Sequence, residues 1–414
     1  MSGRREVEVE VEGRRLRLSN LHKLFYESAR FTKADVIDYY ARIAPALLPH
    51  LRDRPLTLKR YPDGAQGPFF YEKRCPSHRP SWVATRAVAR EEKGGSIRFC
   101  VVNDLATLVW VANLADLEMH TYLHRAPRVE QPTAMVFDLD PGPPADLLRC
   151  CEVALLVRRL CEGLGLESFP KTSGAKGLQV YLPLNTPTGY PATKQFARAV
   201  AELLARERPD LVVSSMAREH RKGKVLIDWS QNDQHKTTVC AWSLRAMARP
   251  MVSTPLSWSE VETAFRLRDA ASIAFDAAAA LERFRRGGDP FAEVLTKSQQ
   301  LPDLQALRQG PTREKFRGAG PTFGSGAAPP PAPGHDERRA RLVEDIGGGP
   351  RRQQVPPSAD TGKPPGPGKR PHSRPRGQRT GGRRSTAEMV APRKRATTKD
   401  ESAMATFPSR DREE

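Results

Sequence analysis

Apolar and polar positions alternate over residues 6–18, with Val7, Val9 and Val11 set against Glu6, Glu8 and Glu10, and this two-residue period predicts a half-buried strand. The period then changes. Thr32-Lys33-Ala34-Asp35 has the form of a helix-capping box, and Val36, Tyr40, Ile43 and Leu47 follow at helical spacing, with Pro45 expected to kink or divide the helix. Residues 56–61 read as a strand and 105–115 as a strongly apolar helix central to the core. Residues 134–140 form an apolar strand that ends in two acids, Asp138 and Asp140, and breaks at Pro141-Gly142. Helices over 146–164 and 194–208, strands over 178–182 and 224–228, and a helix over 258–284 complete the body. From about residue 321 Pro, Gly, Arg and Ser dominate and the periodicity is lost, so burial cannot offset chain entropy. The expected organisation is a folded body over 1–305, a linker over 306–320 and a disordered basic tail over 321–414.

Charge sharpens this picture. The 414 residues carry a net charge of +19, of which +8 falls on 321–414 and +11 on the body. A body that basic expects a polyanion, and nucleic acid is the commonest one. The chain has no run of 18 apolar residues, and its charged start, Met1-Ser2-Gly3-Arg4-Arg5, lacks the apolar core of a signal peptide. No membrane association and a cytoplasmic, nucleoid-associated location are expected. The six cysteines show no paired CxxC spacing and read as reduced, buried thiols. His120 and His124 are four apart, which suits a metal on a helix, but no acid or cysteine completes a zinc set nearby.

In an extended chain residues i and i+2 point the same way, so Asp138 and Asp140 project together from the strand end. Paired carboxylates repel unless a cation lies between them, and hard oxygen ligands favour Mg²⁺ or Mn²⁺. A solvated acid pair at a strand-to-turn junction is the alternative. Residues 169–177 make a Gly-rich basic turn that can aim backbone N–H groups at phosphate, although the G-x-x-x-x-G-K-S/T order of a Walker A loop is absent. A second apolar run ends at Asp228, and Lys236 and Arg245 follow. Phe69, Phe70 and Tyr71 cannot all face one core, and beside Lys73 and Arg74 they suit base stacking. A strand packed on both faces is the competing reading.

Together, Phe137-Asp138-Leu139-Asp140-Pro141-Gly142, Thr172-Ser173-Gly174-Ala175-Lys176-Gly177-Leu178, Val225-Leu226-Ile227-Asp228-Trp229-Ser230-Gln231-Asn232 and Ser243-Leu244-Arg245-Ala246 closely resemble the polymerase domain of bacterial ligase D. That domain belongs to the archaeo-eukaryotic primase superfamily. The resemblance covers roughly residues 15–305 and implies an α/β (α+β) primase-like catalytic fold with antiparallel-rich sheets flanked by helices. It implies a nucleotidyltransferase that adds nucleotides, with a preference for ribonucleotides, to 3′ ends at DNA breaks or gaps in non-homologous end joining. Asp138, Asp140 and Asp228 would hold two Mg²⁺ or Mn²⁺ ions. His120, Ser173, Lys176, Lys236 and Arg245 would contact the incoming NTP or dNTP, and Phe69 and Phe70 the template base. Lys23, Lys33, Lys59 and Arg60 would lie near a 5′-phosphate of the DNA, and Ku and a separate DNA ligase would be partners. The chain departs from many members in carrying Gln179 in place of His and Thr121-Tyr122 in place of Pro-Trp. No K-x-D-G ligase motif is present, so a free-standing polymerase is expected. Two other classes fit parts of the pattern. A metal-dependent phosphatase or sugar transferase would not need Asp228 and Arg245 in this order, and a non-catalytic end-bridging protein that recruits Ku and a ligase would not need the acids.

Overall fold

Two sheets, each backed by its own pair of helices, bring their remaining faces together, and the acid strand lies where they meet. The computed structural model describes residues 6–89 and 94–305, so the expected linker and tail lie outside the described residues. The alternating start forms a hairpin of β1 (Glu6–Val11) and β2 (Arg14–Ser19), followed by a short pair, β3 (Leu24–Tyr26) and β4 (Phe31–Thr32). The predicted capping box is present: the Thr32 side chain accepts from the Asp35 N–H, and the Asp35 carboxylate accepts from the Thr32 N–H, starting α1 (Lys33–Leu51). Pro45 does not divide α1, which runs unbroken past both Pro45 and Pro49. Its apolar face is packed against α2 (Leu105–Asn113), and that burial outweighs the lost backbone bonds.

The first sheet contains β5 (Leu56–Arg60), β6 (Phe70–Glu72), β7 (Thr85–Ala89), β8 (Ser96–Cys100) and β9 (Asp116–Thr121). The second is built on β10 (Ala134–Pro141), the strand of the acids. After it come α3 (Leu147–Gly163), β11 (Phe169–Thr172), β12 (Leu178–Pro183), α4 (Tyr190–Glu207), β13 (Val212–Val213) and β14 (Val225–Asp228). Its order is β11-β12-β10-β14-β13, antiparallel except for the parallel pair β13 and β14. A short β15 (Thr238–Val239) returns the chain to β9 in the first sheet, and β16 (Leu244–Ala246) pairs with β17 (Pro250–Val252).

Alternation along β10 decides the layout. Met135, Phe137 and Leu139 are buried in a core shared with α3 and α4, whereas Val136 belongs to the other core, with α1, α2 and the first sheet. Asp138 and Asp140 are in phase with Val136, so they sit on the face that looks toward the first sheet.

Three expectations are corrected. The helix over 258–284 is two helices, α5 (Trp258–Leu267) and α6 (Ala277–Gly287): Arg268 turns left-handed, and Asp269 and Asp276 accept from N–H groups that would otherwise continue the ladder. His120 lies on β9 and His124 beyond it, so the two are not at helical spacing; buried His124 is hydrogen-bonded through Nδ1 to the Tyr190 hydroxyl at 2.8 Å. The cysteines are not all reduced. Cys75, beyond β6, and Cys100, at the end of β8, have Cα atoms 4.8 Å apart and are joined as a disulfide, a proximity set by the sheet rather than by spacing. Cys150, Cys151, Cys161 and Cys240 are free and buried. Among the described residues no helix is long and apolar enough to cross a membrane.

Candidate active site

Four side chains form a row across the second sheet. Lys171 on β11 is the register partner of Gln179 on β12, Gln179 of Asp138 on β10, and Asp138 of Asp228 on β14. Directly opposed residues of antiparallel strands share a face, so Asp228 joins Asp138 and Asp140 on one side. The Gln179 amide donates to Asp138 Oδ1 at 3.0 Å. Asp228 is turned back on its own chain: Oδ1 accepts from the Ser230 N–H at 3.0 Å and the Ser230 hydroxyl at 2.5 Å, and Oδ2 from Gln231 Nε2 at 3.3 Å. As the side chains stand, no group of three His, Cys, Asp or Glu among the described residues is gathered closely enough to hold a metal ion.

Burial, then the neighbouring Asp140 and Asp228 charges, push the Asp138 carboxyl well above the usual range. Asp140 is raised by burial and by Asp228, with Arg221 and Arg245 opposing. Beneath them Lys171 is almost fully buried; its ammonium donates to Ser253 Oγ at 2.6 Å, and burial pushes its pKa down to about 7.

The Gly-rich turn lies against the acid strand. A Cβ on Gly177 would fall 2.3 Å from the Leu139 carbonyl oxygen, so only glycine allows this approach. Gly174 has a φ of +71°, and a Cβ there would meet the Val252 backbone at 2.6 Å. Ser173 Oγ accepts from the N–H groups of Ala175 and Gly177, which holds the turn, and Arg245 donates to the Ser173 carbonyl at 2.5 Å.

Opposite the turn, the first sheet supplies β9. His120, Asp138, Asp140, Ser173, Lys176, Lys236 and Arg245 all line one open cleft of about 660 Å³. Carboxylates and cations thus line the same cleft. Lys236 donates to Ser230 Oγ, the hydroxyl that also reaches Asp228. His120 Nε2 is 3.1 Å from Glu118 Oε2; burial lowers the imidazole pKa and Glu118 works against that.

Phe69, Phe70 and Tyr71 are all exposed, at 50%, 44% and 55%, which removes the reading of a strand packed on both faces. Tyr71 and Lys73 line the cleft mouth. The basic residues divide into two groups. Lys23 and Arg60 are close enough to Lys33 that, after burial, their charges help to push its pKa down to about 8. Lys59 is turned to the other face, as alternation along β5 requires, with its ammonium 3.1 Å from Glu118 Oε2. Sequence reading alone missed Glu118, Lys171 and Gln231. The signal for Glu118 was present: two residues before His120 on a strand, it shares that residue's face.

Comparison with known proteins bears on this geometry. Residues 32–291 match the family model described as the LigD primase-polymerase domain. The chain is 41% identical over 249 residues to the multifunctional non-homologous end joining protein LigD of Mycolicibacterium smegmatis, covering 60% of this chain and 32% of that protein. It is 30% identical over 296 residues to the bifunctional non-homologous end joining protein LigD of Bacillus subtilis, covering 71% and 46%. The chain thus spans less than half the length of these relatives. The solved polymerase domain of Mycobacterium tuberculosis ligase D in complex with DNA superposes with a TM-score of 0.63 at 35% identity, over 69% of this chain and 99% of that one.

Proposed function

The chain belongs to the LigD primase-polymerase family, and from that premise we propose that it is a nucleotidyltransferase of DNA end joining, adding nucleotides to a 3′ end at a break or gap. One observation carries the reading: Asp138 and Asp228 oppose each other in register with Asp140 on the same face, and Asp138 and Asp140 line one cleft together with His120, Lys176, Lys236 and Arg245. Acids and cations lining one cleft suit a triphosphate whose transfer needs a divalent ion.

The donor set fits such ions. Three carboxylates on one face, with no cation among the described residues paired to Asp138 or Asp140, match hard oxygen-seeking Mg²⁺ or Mn²⁺, provided that Asp228 turns from Ser230 toward its register partner. Asp138, Asp140 and Asp228 would hold two ions, which when bound lower the pKa of a 3′-hydroxyl and offset charge on the triphosphate. The rest falls to the protein. The Ser173, Ala175 and Gly177 N–H groups donate within the turn, so phosphate oxygens would be met by the cationic donors Lys176, Lys236 and Arg245. Gln179 fixes Asp138 through a hydrogen bond from its side-chain amide that needs no proton to leave or arrive. Phe69 and Phe70 are exposed, each with a cation over its ring, Lys59 on Phe69 and Arg60 on Phe70, and a template base would stack on what the cation leaves uncovered. Lys23 and Arg60 are paired with Asp63 and Glu72, and buried Lys33 donates to the Ser19 carbonyl, so a 5′-phosphate would take these cations over from partners they already hold. Ribonucleotide preference, action in the cytoplasm, and partnership with Ku and a separate ligase belong to the same reading.

The test is primer extension on a gapped duplex, with and without a 5′-phosphate, with NTP or dNTP at equal concentration and Mg²⁺ or Mn²⁺. Metal-dependent addition, stronger with NTP and with the phosphate, is expected. Binding to the gap with no addition under any of these conditions would leave an end-bridging protein instead.

A further inference from the structure

Glu118 is 2% exposed, yet four hydrogen-bonding groups and the Arg245 guanidinium converge on its carboxylate. Oε2 lies 3.1 Å from Lys59 Nζ, 3.1 Å from His120 Nε2 and 3.2 Å from Arg245 Nε. Oε1 accepts from the Tyr61 hydroxyl at 3.1 Å and the Ala246 N–H at 3.1 Å. Burial alone would raise the Glu118 pKa; the hydrogen bond from His120 and the charges of Arg245, His120 and Lys59 outweigh it and hold the group ionised.

Lys59, the register partner of Glu118, extends this cluster to the cleft mouth. Its ammonium stands 4.4 Å from the Phe69 ring centre, 5.2 Å from Tyr61 and 5.8 Å from Tyr71. Tyr71 in turn meets the His120 ring edge-on at 6.0 Å. One buried anion thus joins the cations of the cleft wall to the exposed aromatics.

We propose that Glu118 is a positioning residue for the nucleoside triphosphate: it sets His120 and Arg245 at their places in the cleft and, through Lys59, fixes the aromatic edge beside them. This rests on the reading that the cleft takes a nucleoside triphosphate. Two physical effects oppose each other when the carboxylate is made neutral. If Glu118 were only a negative charge near a polyanion, removing it would tighten triphosphate binding. If it positions, Lys59 and Arg245 repel each other, the flexible Lys59 leaves for solvent, and His120 loses the partner that supports its protonated form. The second effect wins, because Lys59 and His120 lose a shared hydrogen-bond partner and Arg245 its ion pair, while the cleft gains one unit of charge.

The sign of the change in triphosphate affinity is therefore the test. A fluorescent NTP is titrated against the full chain with Mn²⁺, and KM for NTP and kcat are measured on saturating gapped DNA, for wild type, Glu118→Gln and Tyr61→Phe. Glu118→Gln is expected to weaken NTP binding about ten-fold, the worth of one charge-assisted hydrogen bond, and to raise KM by more than it lowers kcat. Tyr61→Phe removes one donor and no charge, and is expected to weaken binding about two-fold in the same direction. Unchanged or tighter NTP binding by Glu118→Gln with a wild-type melting curve overturns the proposal. If that variant does not fold, unchanged affinity in Tyr61→Phe overturns it equally. Wild-type protein that binds NTP without extending primers refutes the polymerase reading and leaves Glu118 to be judged on affinity; failure to bind NTP at all ends both.

Discussion

Asp138 and Asp228 stand directly opposite each other across β10 and β14, although two helices and three strands separate them in the chain. Their pairing makes a testable statement about chemistry. Asp138→Ala, Asp140→Ala and Asp228→Ala are each expected to reduce nucleotide addition roughly a thousand-fold or more, because each removes a metal ligand. Affinity for gapped DNA, measured by anisotropy, should change little. Near-normal extension by any one of the three would remove the metal reading.

Gly177 lies where a Cβ would meet the Leu139 carbonyl oxygen at 2.3 Å. Gly177→Ala is expected to push the Ser173–Gly177 turn away from the acid strand, destabilise the protein by about 1–3 kcal/mol in thermal melts and raise KM for NTP. Wild-type stability and kinetics in this variant would mean that the turn and strand need not touch.

Lys33 gives a pH dependence. Its pKa is pushed down to about 8 by burial, then by Arg60 and Lys23, so its ammonium is charged below that value and neutral above it. A phosphate is attracted only to the charged form. Preference for a 5′-phosphorylated gap over an unphosphorylated one is thus expected to be full near pH 7 and to fall as pH rises past 8. Lys33→Met should show a smaller preference with no such fall. A wild-type preference constant from pH 7 to 9 would count against Lys33 as the phosphate contact.

The tail offers a prediction from sequence alone. Residues 346–399 carry 14 Lys and Arg against two acids, Asp360 and Glu388, among Pro and Gly with no apolar face. We expect a polycation that adds salt-sensitive DNA affinity by releasing counterions. Truncation after residue 320 should leave turnover on saturating DNA unchanged, weaken DNA binding at low salt, and flatten the slope of log affinity against log salt. Equal slopes for the two proteins would show that the tail is no DNA-binding arm.

Local pattern was enough wherever a signal is carried by neighbours in the chain. The capping box at Thr32 and Asp35, the apolar α2 and the acid-tipped β10 are all legible because backbone hydrogen bonding and side-chain direction repeat with fixed periods. The motifs around Asp138, Ser173, Asp228 and Arg245 were legible for the same reason, each being a short contiguous run. Tertiary structure decided what those runs do to one another. It set Asp228 opposite Asp138, joined Cys75 to Cys100, split the 258–284 helix at Arg268, and put Lys59 against Glu118 and Arg60 against the Leu114 carbonyl. It also gathered Tyr61, Lys59, His120 and Arg245 around Glu118, from strands that are remote in sequence. The physical reason is that register and burial are properties of pairs of strands and of packed faces. The sequence determines which side of its own strand a residue takes, and only the packed sheets determine what it faces.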